Sequence, residues 1–107
     1  MIGSIKLIQI KTTTSFERKL KKLAKKHFPI EVLKPCLQAI VNQDEAVLKR
    51  IKDHALKGRW RGYREFHLSR YSNHGNLYDG WIVIYRLDHE ELVLLLVSTG
   101  LHEILDR

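Results

Sequence analysis

Apolar and polar residues alternate over Ser4 to Lys11, where Ile5, Leu7, Ile8 and Ile10 interleave with Lys6, Gln9 and Lys11. That approximate period of two predicts a half-buried strand. Thr12, Thr13, Thr14 and Ser15 follow as helix N-cap candidates, and Thr14 with Glu17 has the capping-box spacing that satisfies two orphan backbone donors. Phe16, Leu20, Leu23 and Ala24 then form one apolar helix face, and Arg18, Lys19, Lys21, Lys22, Lys25 and Lys26 cover the rest. Phe28-Pro29 ends the pattern, because proline disfavours a helical residue before it. Leu33, Leu37, Ile40 and Val41 mark a second helix, which tolerates Pro35 only near its first turn. Two helices joined by a short turn make a hairpin that can lie across one face of a sheet.

Asp44 to Leu56 supports either a short third helix on Val47 and Ile51 or an extended connector to Gly58. From Tyr63 the period is two: Arg64, Phe66 and Leu68 share one face, Glu65 and His67 the other. Asn73, Gly75, Asn76 and Gly80 mark residues 69–80 as a loop or a long hairpin tip. Trp81 to Leu87 and Glu91 to Ser98 read as strands joined tightly through Asp88-His89-Glu90. The second is apolar almost throughout, as expected of a strand buried on both faces and central in its sheet. The fold expected is α+β: two N-terminal helices packed on a small antiparallel or mixed sheet of about four strands, in the order β-α-α-β-β-β. Residues 1–107 form a single expected domain, since this length supports one modest core and no repeat or linker divides it.

Nineteen Lys and Arg against twelve Asp and Glu give a net charge of +7, which favours a polyanionic partner such as nucleic acid or an acidic protein. The lysine run is read first as a solvated helix face and second as a phosphate-tracking stripe. One cysteine, Cys36, cannot form an internal disulfide, and a reducing cytoplasm is expected. The apolar N-terminal patch is short and interrupted by lysines, so neither a signal peptide nor a membrane span is expected.

Of six histidines, His27, His74 and His89 fall in helix-end, loop and turn positions, where solvent-exposed filler is the simpler reading. His54, His67 and His102 fall at the edge of a strand or the entry to the sheet. Singly, each is more often structural than catalytic. Three converging on one end of a basic sheet would supply neutral and charged imidazole together, at an unperturbed pKa of about 6.5. Those parts suit RNA cleavage: one group takes the 2'-hydroxyl proton, another protonates the departing 5'-oxygen, and cations stabilise the phosphorane. The expected products are 2',3'-cyclic phosphate and 5'-hydroxyl ends, with no metal or other cofactor required. Lys57, Arg61, Arg64 and Arg86 are the candidate phosphate-binding residues, and Trp60 and Tyr63 the candidate base-stacking ones. Trp81 could stack too, but its place inside a strand favours the core.

Asp53-His54 before Gly58 and Trp60, then Gly62-Tyr63-Arg64-Glu65-x-His67, then Trp81 with Tyr85, and finally Thr99-Gly100-Leu101-His102 resemble, in that order, motifs of the RelE/ParE superfamily of bacterial toxins, and within it the YafQ-type mRNA interferases. The likeness spans most of the chain, but specific motifs begin only at Lys52. It implies a toxin of a type II toxin–antitoxin pair that cuts mRNA on the ribosome and forms a hetero-oligomer with its antitoxin. By the same likeness His54, His67 and His102 are proton-transfer candidates, and Glu65 orients or tunes one of them. The carboxylate that the family places directly before the tryptophan corresponds to Asp79, here separated from Trp81 by Gly80. Where the family tends to carry arginine before Thr-Gly, this chain has Ser98; either Arg61, Arg64 or Arg86 substitutes, or the enzyme is slow, altered in specificity or inactive, a degenerate RNA-binding member of the fold. Two other classes stay open: a non-catalytic ParE-like gyrase inhibitor, and a metal site built from His54, His67, His74 and His102, for which no short ligand motif exists.

Overall fold

A computed structural model describes residues 8–71 and 80–101. Its elements are β1 (Gln9–Thr12), α1 (Thr14–Lys25), α2 (Leu33–Asn42), α3 (Glu45–Arg50), β2 (His54–Ala55), β3 (Arg64–His67), β4 (Trp81–Asp88) and β5 (Val93–Leu101), with short 3-10 turns between some of them. The five strands form one mixed sheet in the order β1-β5-β4-β3-β2. β1 runs parallel to β5, and every other pairing is antiparallel.

The α+β class and the hairpin of α1 and α2 follow the sequence pattern, but the sheet gains a strand over the expected four. The ambiguous segment uses both of its readings in succession, as α3 and then as β2. Two residues of strand are too short for any period to register, so only pairing with β3 reveals β2. The start of α1 also differs. Thr13, not Thr14, is the cap: its side-chain oxygen accepts from the Phe16 N–H at 3.0 Å, and its hydroxyl donates to the Val97 carbonyl at 2.7 Å. Glu17 takes the Thr12 hydroxyl instead, at 2.6 Å. One residue thus both starts the helix and ties it to β5. At its other end α1 stops at Lys25, and the chain leaves it through His27, in the left-handed region at φ 65°, two residues before Pro29. Pro35 sits in the first turn of α2, where its missing N–H costs nothing.

The helices bury Phe16, Leu23, Cys36 and Ile40 against Phe66, Trp81, Val83, Tyr85, Leu94 and Leu96 of the sheet. β4, buried from Trp81 to Tyr85, takes the centre of the sheet, and β5 lies one place further out, beside β1. Trp81 is a core residue: its indole N–H donates to Thr99 Oγ1 at 3.0 Å and its ring meets Phe28 edge-on at 5.3 Å.

A β-bulge in β5 changes which side chains face which way. Tyr85 pairs with Leu96, yet Ile84 pairs with Ser98, so Val97 is an extra residue. Leu94 and Leu96 face the helices, and strict alternation would send Ser98 the same way. The bulge reverses the phase instead. Ser98 shares a row with Ile84 on the far face, and Thr99 turns inward to Trp81.

Candidate catalytic site

The face of the sheet away from the helices carries the imidazoles. In β3, alternation sends Phe66 into the core and leaves Glu65 and His67 together on the other side, as the sequence pattern predicts. β2 adds the third member, because His54 is the direct cross-strand partner of Glu65. His54 Nε2 lies 3.1 Å from Glu65 Oε1 and His67 Nε2 lies 3.4 Å from the same oxygen. The two rings stack at 6.1 Å between centroids with 24° between planes. Glu65 is 1% exposed, His67 18% and His54 50%, so the carboxylate is the buried hub and the imidazoles are its solvent-facing arms.

The His54 Nδ1 atom is 2.7 Å from the Lys52 carbonyl. A carbonyl only accepts, so Nδ1 carries the hydrogen and Nε2 is the nitrogen left facing the carboxylate. Two imidazoles thus meet one carboxylate oxygen, His54 through Nε2 at 3.1 Å and His67 through Nε2 at 3.4 Å.

Asp53 holds this strand in place. Its carboxylate receives Nη2 of Arg64 at 2.9 Å, Nε of Arg64 at 3.2 Å, and the Tyr85 hydroxyl. Arg64 and Tyr85 are paired across β3 and β4 on the helix side, so Asp53 anchors to one face while His54 is displayed on the other. The hydrogen bond to Asp53 raises the Arg64 pKa, and burial, then Asp53, pushes the Tyr85 hydroxyl well above its ordinary value. The network lines a cleft of about 430 Å³ whose lining includes neither His54 nor His67. The sequence reading offered Arg64 for phosphate; in the fold its charge is matched by Asp53. Asp53 and Tyr85 were missed as anchors, although the Asp-His pair itself stood out.

The other candidates are spread out. Lys57 and Arg61 are exposed in the β2–β3 connection, where Trp60 and Tyr63 meet edge-to-face at 5.7 Å. Arg86 is exposed on β4, two residues from Ile84, and so shares the face of Glu65. His102, Asp79 and His74 lie outside the described residues; His102 follows Leu101, the last residue of β5, directly. The metal reading survives in a smaller form than the sequence suggested. His54, Glu65 and His67 each offer a ligand atom, all within 4.8 Å of one another, a nitrogen-rich set that could hold a first-row transition metal.

Helices packed on a five-stranded mixed sheet make the RelE-like fold, and here the other face of that sheet gathers His54 and His67 at Glu65. This chain belongs to the YafQ family of bacterial toxins of type II toxin–antitoxin systems, whose model matches residues 8–107. It is 28% identical over 93 residues to the mRNA interferase toxin YafQ of Escherichia coli K12, covering 87% of this chain and 89% of that protein. The E. coli DinJ–YafQ toxin–antitoxin complex holds a chain of the same fold, at TM-score 0.71 and 28% identity over 94% of this chain and 98% of that one. A metal-bound toxin from Helicobacter pylori superposes at TM-score 0.74, with 27% identity over 92% of this chain and 99% of that one.

Proposed function

We propose that this protein is the toxin of a type II toxin–antitoxin pair and acts as an endoribonuclease on mRNA, by imidazole acid–base chemistry that draws on no metal. The observation that carries the reading is the approach of His54 Nε2 and His67 Nε2 to one buried carboxylate oxygen, at 3.1 and 3.4 Å. In the reaction the RNA 2'-oxygen forms a bond to phosphorus and gives its proton to a neutral imidazole. The bond from phosphorus to the 5'-oxygen breaks, and that oxygen takes a proton from a charged imidazole. The products are a 2',3'-cyclic phosphate and a 5'-hydroxyl. Glu65, between two imidazoles, lets one carry the proton that the other gives up. His102, two residues beyond Gly100 in the chain, supplies the third imidazole; Gly100 shares a row with His67 through Ile82. Each positioned acid or base contributes about 10² to 10⁴-fold.

The partners in this reading are mRNA on the ribosome and a cognate antitoxin whose acidic or amphipathic segment complements the net charge of +7. The compartment is the cytoplasm, where ribosomes are and Cys36 stays reduced; no helix of the described residues is long and apolar enough to cross a membrane.

The test is induction of the wild-type chain and of the His67→Ala and His102→Ala variants in bacteria, with primer extension across a reporter mRNA. Growth arrest with new 5' ends that fade in both variants is the expected result. Cleavage of ribosome-bound mRNA should be unchanged when the chain is stripped of metal with EDTA and freed of the chelator before it meets ribosomes in Mg²⁺. Arrest without cleavage would sink the nuclease and bring forward an inhibitor of the gyrase-binding type.

A further inference from the structure

Phosphate-cleaving chemistry needs a cation beside the imidazoles, and the arginine nearest to them in sequence does not supply it. Arg64 is engaged by Asp53 on the helix side of the sheet. Arg86 is exposed on the catalytic face, and a second cation reaches it from the helix layer. Lys19, on α1, donates its ammonium to Ser98 Oγ at 3.0 Å. Ser98 is buried, and the bulge at Val97 places it in the row Glu65–Ile84–Ser98 that crosses the catalytic face. Two strand spacings separate the ends of that row, ~10 Å. Lys19 is half-buried whereas Lys21, Lys22, Lys25 and Lys26 are exposed, and among the described residues it has no carboxylate within ion-pair distance. An ammonium has three N–H donors and Ser98 uses one, so two remain for an anion.

The surroundings of Lys19 extend the same feature. Lys22 and Lys26 follow at one-turn and two-turn spacing, and the three lysines line a cleft of about 340 Å³ with Thr99, Gly100 and Leu101. That cleft borders the end of β5, immediately before His102 in the chain.

We infer that Lys19, seated by Ser98, is the phosphate-binding cation of the catalytic site, and that Lys22 and Lys26 carry the adjoining stretch of RNA backbone along the same cleft. The role rests on the endoribonuclease reading. A serine at position 98 then does not leave the site without its cation. It seats one delivered from α1, where a compact ammonium can follow the charge as the phosphorane forms.

The test compares the wild-type chain with Lys19→Gln, Lys19→Arg and the pair Lys22→Ala/Lys26→Ala, on ribosome-bound mRNA and in binding to a non-cleavable 2'-deoxy oligonucleotide. Lys19→Gln keeps a hydrogen-bond donor for Ser98 and removes the charge, so misfolding does not confound it; melting curves check this. Lys19→Gln should cut about 10²-fold more slowly, in line with the loss of one transition-state donor. Lys19→Arg should recover most of the rate. The double variant should bind the oligonucleotide more weakly and cut more slowly at sub-saturating mRNA, whereas the loss in Lys19→Gln should persist at saturation. Equal cutting by wild type and Lys19→Gln would overturn the inference while leaving the nuclease intact. Loss of antitoxin affinity with no change towards RNA would overturn it in favour of a protein-docking cleft. A wild-type chain that binds RNA without cutting it would overturn the nuclease reading and the role of Lys19 in the reaction together.

Discussion

Asp53 and His54 are neighbours with opposite tasks. A chain in extended conformation sends successive side chains to opposite sides, so Asp53 binds Arg64 and Tyr85 while His54 meets Glu65. Tyr85→Phe removes a hydrogen bond to a charged group that contributes roughly 1.5 to 3 kcal/mol. Urea unfolding should show a loss of that order, and mRNA cleavage should fall with it only if the anchor also sets the His54 ring. Cys36 shows burial acting on chemistry. Burial alone pushes its thiol from 9.0 up to about 12. Below pH 9 the thiol is protonated in both folded and unfolded chains, and its contribution to stability is complete. Between pH 9 and 12 the unfolded chain releases the proton and the folded chain keeps it, so stability falls as pH rises. The stability difference between wild type and Cys36→Ala should therefore shift against wild type over that window in denaturation measurements. At pH 8 iodoacetamide should leave the native thiol unmodified and label it after denaturation.

Among the elements, the short β2–β3 ribbon and the end of β5 build the site. The ribbon turns through Gly62, at φ 95°, a conformation that side-chain-bearing residues rarely adopt, and no atom lies within 4 Å of where a Cβ would stand. Gly62→Ala therefore meets no steric obstacle, and its cost is backbone strain alone, about 1 to 2 kcal/mol. Denaturant unfolding should read a loss of that size, with cleavage retained where the variant is folded. In β5, one extra residue decides which hydroxyl faces which layer. Ser98 receives Lys19 and Thr99 receives the Trp81 indole N–H because Val97 is unpaired between them and the pairs that precede it. Thr13 reinforces the bulge by donating to the Val97 carbonyl, which ties the start of α1 to the point where β5 changes phase.

Across the whole molecule, the charge of +7 is unevenly committed. Arg64 is spent on Asp53, whereas Lys19, Lys22 and Lys26 gather in one cleft without a carboxylate partner among the described residues. Such an arrangement makes association with single-stranded RNA depend on counterion release. The logarithm of the binding constant should fall linearly with the logarithm of salt concentration, by about 0.7 for each phosphate contacted. Titrations at several salt concentrations check this, and the Lys22→Ala/Lys26→Ala variant should give a shallower line. A salt-independent affinity would mean that the cleft does not follow the backbone.

Features that depend only on local backbone geometry are legible in the order of residues. Alternation over Arg64–His67 is a property of any extended chain, so Glu65 and His67 share a face wherever that strand lies. The apolar faces of α1 and α2 follow from helical spacing in the same way, and the Asp53-His54 pair stood out as a motif without any fold. Tertiary structure alone decided the rest. His54 meets Glu65 only because two residues of β2 pair with β3, Arg64 loses its freedom only because Asp53 and Tyr85 arrive from other elements, and Lys19 reaches Ser98 only after a bulge reverses the phase of β5. Each of these depends on register between segments distant in the chain. A local period carries no information about that register, because the energy that fixes it comes from pairing and burial across the sheet.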